Sequence, residues 1–140
     1  MIIKFKQLTK DALLPKYVKD GDAAFDIYTN ISGTIQKGKI KMFSTGIASE
    51  FLKGYFVSFR DRSSMASKNG IHVLAGVIDS GYRGEWRIVL ANLGENDCKI
   101  EKGDRIAQGI VHQLPKVTIK EFKKLSMSQR GKDGFGSTGK

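Results

Sequence analysis

The chain has 140 residues, of which 40% are hydrophobic, and this is enough for one domain with a single core. Its net charge of +10 favours a polyanionic partner such as a nucleotide, a nucleic acid or an acidic protein. The single cysteine excludes an internal disulfide and a multi-cysteine metal site. Because the first residues alternate charged and apolar side chains, we expect neither a signal peptide nor a membrane span, and we expect a cytoplasmic protein.

Short stretches rich in Ile, Val, Phe and Tyr recur between clusters of Gly, Asn, Asp and Ser. Their spacing is typical of an antiparallel β-sandwich or barrel, and helical periodicity is nearly absent. The sequence predicts a short helix over residues 63–68 and strands over residues 2–6, 24–29, 39–47, 55–59, 71–74, 86–93, 98–100, 105–114 and 117–122. We expect one all-β domain over residues 1–125 and a flexible, glycine-rich tail over residues 126–140.

Two early segments carry polar residues that a sandwich does not require. Asp26 lies among small and apolar residues, where a charge is costly unless it is paired, so we expect a hydrogen-bonded, structural aspartate. At residues 59–66 a strand runs into a predicted helix start, with Arg62 before it and the hydroxyls of Ser63 and Ser64 on its first turn. This pattern indicates an anion site, and the alternative is that Ser63 only caps the helix.

Two later segments raise the same question. Residues 75–85 place Asp79 beside a glycine-rich turn that carries Tyr82, so Asp79 is either a general base for a water molecule or an aspartate that serves the turn. In the predicted strand 105–114, Ile106, Gln108 and Ile110 should share one face. Gln108 is then either a satisfied core amide or a ligand contact.

The last residues, 130–139, place Arg130, Phe135, Ser137 and Thr138 among glycines. Glycines let backbone N–H groups approach an anion closely, and the hydroxyls and the guanidinium add donors suited to a phosphate. An aromatic ring here would stack on a flat ligand such as a nucleobase, which contributes about 1–3 kcal/mol. The alternative is a disordered Gly/Ser tail with a stray Phe.

In order and spacing, these segments resemble the five sequence motifs of the homotrimeric dUTP pyrophosphatases (dUTPases). The matching residues are 23–27, 62–66, 76–85, 103–108 and the tail, so the resemblance covers the whole chain. It implies a jelly-roll fold and a homotrimer with active sites between subunits. It also implies hydrolysis of dUTP to dUMP and pyrophosphate, which limits uracil incorporation into DNA and supplies dUMP.

The resemblance assigns a role to each candidate residue. Asp79 would activate the water that attacks the α-phosphorus, and Tyr82 would pack under the deoxyribose and leave no room for a 2′-hydroxyl. The hairpin over about 74–79, with Gly76 and Ile78, would read the uracil edge through backbone groups and exclude a 5-methyl group. Phe135 would stack over the uracil. The phosphates would be held by Arg62, Ser63, Ser64, Gln108, Arg130, Gly136, Ser137 and Thr138.

Mg²⁺ would arrive on the triphosphate and have no direct protein ligand, with Asp26 near its water network. The resemblance requires no membrane or nucleic acid, and the sequence does not resolve whether a regulatory protein binds. Three small residues, Ala24, Ser64 and Gly81, depart from the usual family pattern, and we expect the pocket to tolerate them.

The sequence leaves two alternative functions open. A dCTP deaminase shares the fold, the Arg-Ser-Ser element and the Ile-Asp turn, but Ala91 occupies the position of its catalytic glutamate. A non-catalytic protein could instead bind a nucleic acid or a regulatory partner through its lysines. The intact Asp79 and tail argue against a loss of catalysis, and they leave a second, binding role open.

Overall fold

The computed structural model describes residues 1–132. In this part of the chain, short β-strands predominate because β-branched and aromatic residues alternate with polar ones between turns. The elements are β1 Lys4–Gln7, β2 Phe25–Tyr28, β3 Gly33–Ile35, β4 Ile40–Ser44, β5 Ile47–Glu50, β6 Tyr55–Arg60, α1 Ser63–Asn69, β7 Ile71–Leu74, β8 Val77–Asp79, β9 Arg87–Asn92, β10 Cys98–Ile100 and β11 Arg105–Gln113.

The strands form two larger and two smaller sheets. The order is β2-β11-β6-β8 in the four-stranded sheet and β4-β9-β7 in the three-stranded sheet, and β1-β5 and β10-β3 form two-stranded sheets. All of these pairings are antiparallel. The inward residues of the two larger sheets belong to one hydrophobic core, which confirms the predicted all-β class.

Trp86 lies at the centre of this core and is fully buried. Its ring packs against Phe5, Phe25 and Phe59, with centroid separations of 5.2, 6.4 and 5.5 Å. Its indole N–H donates to Ser49 Oγ at 3.1 Å, so the polar atom of this large side chain is satisfied. The aromatic cluster therefore joins strands from different sheets.

The predicted strand over residues 39–47 is two strands, β4 and β5, in two different sheets. The break falls at Gly46, which has a φ of 68°, a conformation that favours glycine. Strands β3 and β8 were not expected from the sequence, because they span three residues each and are too short to show a period.

The predicted strand over residues 117–122 is wrong. This segment pairs with no strand in residues 1–132, and Val117, Ile119 and Phe122 are 71%, 93% and 70% exposed. Its alternation of apolar and polar residues is that of a strand, but the described part of the chain offers it no neighbour.

The helix α1 lies where the sequence predicts it. Arg62 is the N-cap residue, with an extended backbone at φ −80° and ψ 124°, and the helix ends at Gly70. At seven residues it is far shorter than a bilayer requires, and no helix in residues 1–132 is long and apolar enough to cross a membrane.

Candidate active site

The buried carboxylate of Asp26 joins three of the candidate segments. Asp26 lies on β2 and is 2% exposed. Its Oδ1 accepts a hydrogen bond from Gln108 Nε2, and its Oδ2 accepts one from Arg105 Nη1, both at 3.2 Å. Arg62 Nε lies 3.6 Å from Oδ1. The structure thus contains the hydrogen-bonded aspartate that the sequence predicts, and its carboxylate contacts two cationic side chains and one amide.

A β-bulge in β11 makes this arrangement possible. The register with β2 shifts between Arg105 and Ala107, and Ile106 and Ala107 are both buried in the core. In a regular strand, residues three apart point to opposite faces, but the extra residue brings Arg105 and Gln108 to the same carboxylate. The prediction that Ile106, Gln108 and Ile110 share one face is therefore wrong, because Ile106 belongs to the core and Gln108 faces Asp26.

The connection between β6 and α1 carries the next group. Arg62 donates through Nη1 to the carbonyl of Arg105 at 3.1 Å and is 21% exposed. The capping alternative for Ser63 is wrong, because Arg62 is the N-cap residue and no side chain caps the helix. Ser63 and Ser64 are exposed, and neither hydroxyl hydrogen-bonds to another of residues 1–132. Both hydroxyls are available to a ligand.

The two residues Ala75 and Gly76 carry the chain from β7 in one sheet to β8 in the other. Their φ angles are 60° and 107°. The carbonyl of Gly76 accepts the N–H of Phe59 at 2.7 Å, and a Cβ on Gly76 would lie 2.9 Å from Phe59 Cβ. The corner is therefore pinned to β6, and only glycine fits at its second position.

Asp79 ends β8 opposite Phe56. The turn after it is closed by its backbone, since its carbonyl accepts the N–H of Tyr82 at 3.0 Å. Its carboxylate is exposed and has no hydrogen-bond partner among residues 1–132. The side chain of Asp79 is thus not used by the turn, and its carboxylate is accessible to water or a ligand.

Tyr82 is held over the same turn. Its hydroxyl donates to the carbonyl of Glu85 at 3.1 Å, and its side chain is 44% exposed. A Cβ on Gly84 would lie 2.5 Å from Tyr82 Cζ, so residue 84 must be glycine for the ring to lie there. The ring thus remains partly accessible to a ligand.

Glu85 links the end of this turn to Ser44 and Gly46 between β4 and β5, and this role was not expected from the sequence. Its Oε1 accepts from Ser44 Oγ and from Gly46 N at 2.9 Å, and its Oε2 accepts from Arg87 Nε at 3.0 Å. Burial alone would raise the pKa of Glu85, but these hydrogen bonds outweigh burial and hold the pKa below its ordinary value. Arg105 was missed in the same way, because a bulge leaves no mark in the alternation of side chains.

The candidate residues form two separate groups within one chain. On β6, Gln108 lies opposite Arg60, whereas Asp79 lies opposite Phe56. These positions are four residues apart, which is about 13 Å along a strand. The group around Asp26 is therefore not in contact with the group around Asp79.

The remaining candidates belong to the end of the chain. Arg130 lies in the described part, whereas Phe135, Gly136, Ser137 and Thr138 lie outside the described residues. Within residues 1–132 there is no group of three or more His, Cys, Asp or Glu side chains placed to hold a metal ion.

Comparison with known proteins identifies relatives of the whole chain. A family model described as dUTPase matches residues 10–139. The deoxyuridine 5'-triphosphate nucleotidohydrolases of Clostridium tetani and Clostridioides difficile are 47% and 45% identical, covering 99% and 98% of this chain and 97% of each relative. The solved structure of Staphylococcus bacteriophage 80alpha dUTPase with dUpNHpp matches with a TM-score of 0.91 at 26% identity, covering 99% of this chain and 98% of that one. These matches confirm the expected fold, and the chain belongs to the dUTPase family.

Proposed function

We propose that this chain hydrolyses dUTP to dUMP and pyrophosphate in the cytoplasm, which limits uracil incorporation into DNA and supplies dUMP. The Clostridium tetani and Clostridioides difficile relatives carry the name of this activity. The observation that carries the proposal for this chain is Asp79, whose exposed carboxylate has no partner in residues 1–132 and stands beside Tyr82. Because no donor of residues 1–132 occupies this carboxylate, it is available to accept a proton from a water molecule that is bound beside it.

In the reaction, Asp79 accepts a proton from a water molecule while the water oxygen attacks the α-phosphorus. The new P–O bond forms as the bond from the α-phosphorus to the bridging oxygen breaks, so pyrophosphate leaves and dUMP retains the water oxygen. The cationic Arg62 and the donors of Ser63, Ser64 and Gln108 stabilise the charge on the phosphates. Asp26 keeps Arg62 and Gln108 oriented for that role.

Mg²⁺ would be held by the phosphate oxygens of dUTP, where it would neutralise part of their charge, and no side chain of this protein would ligate it directly. The donor set of the chain fits this, because both oxygens of Asp26 are already engaged by Arg105 and Gln108. A triphosphate offers the oxygen ligands that Mg²⁺ prefers, and the ion keeps several waters.

Selection of the base and sugar falls to the third motif. The corner at Ala75 and Gly76 presents main-chain groups in a fixed position, which suits recognition of the uracil edge and exclusion of a 5-methyl group. Tyr82 lies under the deoxyribose and excludes a 2′-hydroxyl. The tail, with Arg130, closes over the nucleotide, and Phe135 stacks on the uracil.

A homotrimer completes the site. The distance of about 13 Å between the positions of Gln108 and Asp79 along β6 is too long for both to reach one α-phosphorus. The Asp79 group of one subunit therefore faces the Arg62 group of its neighbour, and a tail closes the site. The exposed segment over residues 117–122 supplies apolar surface for such an assembly.

Complementation between two inactive chains tests this proposal. Asp79→Asn should keep nucleotide binding and lower the turnover by roughly 10²–10⁴-fold, since the amide is nearly isosteric but not basic. Truncation before Arg130 should also remove most of the activity. Co-expressed as mixed trimers, the two chains should regain part of the pyrophosphate release, because a site can draw Asp79 from one chain and the tail from the other.

The same assay should be run with dCTP, dTTP and UTP as control substrates. Release of pyrophosphate from dUTP, and from none of the three control nucleotides, agrees with the proposal. A fully active monomer in light scattering, or an Asp79→Asn chain with normal turnover, would contradict it.

A further inference from the structure

Asp61 occupies a special position in the connection between β6 and α1. It directly precedes Arg62, and its carboxylate contacts β7, the strand that follows α1 in the chain. Oδ1 accepts the N–H of Val73 at 2.6 Å, and Oδ2 lies 2.8 Å from Nδ1 of His72. One side chain thus ties the connection to two consecutive residues of a strand that follows the helix.

The strand β7 needs such a partner. It lies at the edge of its sheet and pairs only with β9 in residues 1–132. The outward N–H groups of an edge strand must bind water or a side chain, and Asp61 accepts the hydrogen bond from the N–H of Val73. The Asp61 side chain is 29% exposed and that of His72 is 51% exposed, so the hydrogen bond from Val73 is partly buried, whereas the contact with His72 lies at the surface.

The other end of the connection is held by Arg62. Its guanidinium contacts the carbonyl of Arg105 and approaches Asp26, but these contacts fix a long and flexible side chain. Ser63 and Ser64 have no side-chain contact that fixes their hydroxyls. The backbone of this segment is held on its C-terminal side by the first turn of α1, where Met65 and Ala66 donate to the carbonyl of Arg62, and Met65 packs against the core. On its N-terminal side, Asp61 adds a side-chain link to β7.

We propose that Asp61 is a positioning residue that anchors the segment Arg62, Ser63 and Ser64 to β7, so that their donors meet the phosphates without rearrangement. The inference rests on the proposed phosphate-binding role of Arg62. Donors that are already in place bind the phosphates without a cost in free energy for reorganisation. Small displacements of these donors should therefore lower both the affinity for the nucleotide and the rate.

Three variants separate position from charge. Asp61→Ala removes both hydrogen bonds. Asp61→Asn keeps an acceptor for Val73, and its amide donates to His72 in the other neutral tautomer, so the anchor persists without the negative charge. His72→Ala removes one bond and leaves the Val73 bond in place. Asp22→Ala is the matched control, because Asp22 accepts a backbone N–H from Lys19 at 2.8 Å in an exposed turn.

The test measures binding of dUpNHpp and of dUMP by titration calorimetry, together with amide exchange at Val73. We expect Asp61→Ala to weaken dUpNHpp binding about tenfold, the loss of one hydrogen bond to a charged group, and to weaken dUMP binding less. Exchange at Val73 should accelerate. His72→Ala should fall between Asp61→Ala and the wild type, and Asp61→Asn should bind dUpNHpp at least as tightly as the wild type. Asp22→Ala should match the wild type throughout.

Arg62→Ala distinguishes the two possible failures. If Arg62→Ala weakens dUpNHpp binding while Asp61→Ala and His72→Ala do not, the anchoring role is wrong and the phosphate role stands. If Arg62→Ala also binds normally, the proposed phosphate role itself is wrong. If Asp61→Asn binds dUpNHpp as weakly as Asp61→Ala, the negative charge of Asp61 rather than its hydrogen bonds to β7 supports binding, and the inference is overturned.

Discussion

Replacement of Asp26 by Asn should show how much the buried carboxylate contributes. The substitution keeps the shape but removes the charge that faces Arg105, Gln108 and Arg62 at 3.2, 3.2 and 3.6 Å. Each hydrogen bond to a charged group contributes about 1.5–3 kcal/mol. Because Arg105 is 44% exposed, its guanidinium can bind water instead. We therefore expect the free energy of unfolding to fall by about 2–3 kcal/mol rather than by the sum over all of these contacts.

A loss of this size should lower the melting temperature by about 6–12 °C for a domain of this length. The midpoint is measured by circular dichroism at one protein concentration, since assembly couples to stability. Because Arg62 and Gln108 lose their anchor, kcat/KM for dUTP should also fall at least tenfold.

Asp97→Asn is the control for this experiment. Asp97 accepts the backbone N–H of Lys37 at 2.9 Å in an exposed loop, so the change should cost less than about 0.5 kcal/mol. An Asp26→Asn variant that melts within 2 °C of the wild type and retains its kcat/KM would show that the buried carboxylate does not hold the site together.

Two further predictions concern the third motif. Gly84→Ala should displace the Tyr82 ring, and it should therefore raise KM for dUTP and reduce the preference for dUTP over UTP. Gly81→Ala is the control, because a Cβ there meets nothing within 4 Å, and it should leave KM and the preference unchanged. Equal kinetics for the two variants would contradict this prediction. The folded-state pKa of Glu85 lies below its ordinary value of 4.5, so the ionised carboxylate stabilises the fold above pH 4.5, and this contribution is lost as pH falls through the folded-state pKa. Glu85→Gln should therefore lower the free energy of unfolding at pH 7 by roughly 1–2 kcal/mol, and this difference from the wild type should shrink on acidification; a difference independent of pH would contradict this.

Some site features could be predicted because they follow from one residue and its neighbours. Asp26 stands among apolar residues, and an unpaired charge there would be too costly, so its pairing was predictable. The helix after Arg62 was predictable because a strand pattern stops at a run of small and polar residues. These inferences need no knowledge of which strands pair.

Other features depend on pairing and could not be predicted. The bulge that turns Arg105 and Gln108 toward one carboxylate is a choice of hydrogen-bond register, and it leaves the composition of β11 unchanged. The separation of Asp79 from Gln108 likewise depends on the register of β8 against β6. Residues 117–122 have a strand pattern but no partner in the described chain, since alternation reports a half-buried strand without saying what buries it.

Trp86 has a consequence for measurement. It is the only tryptophan in the chain, and its indole lies against Phe5, Phe25 and Phe59 with no exposed surface. Its fluorescence should therefore lie at short wavelength and shift to the red only when these rings separate and water reaches the indole. Since the three rings come from β1, β2 and β6, a single emission spectrum reports whether the strands remain packed together, and it does so without any introduced label.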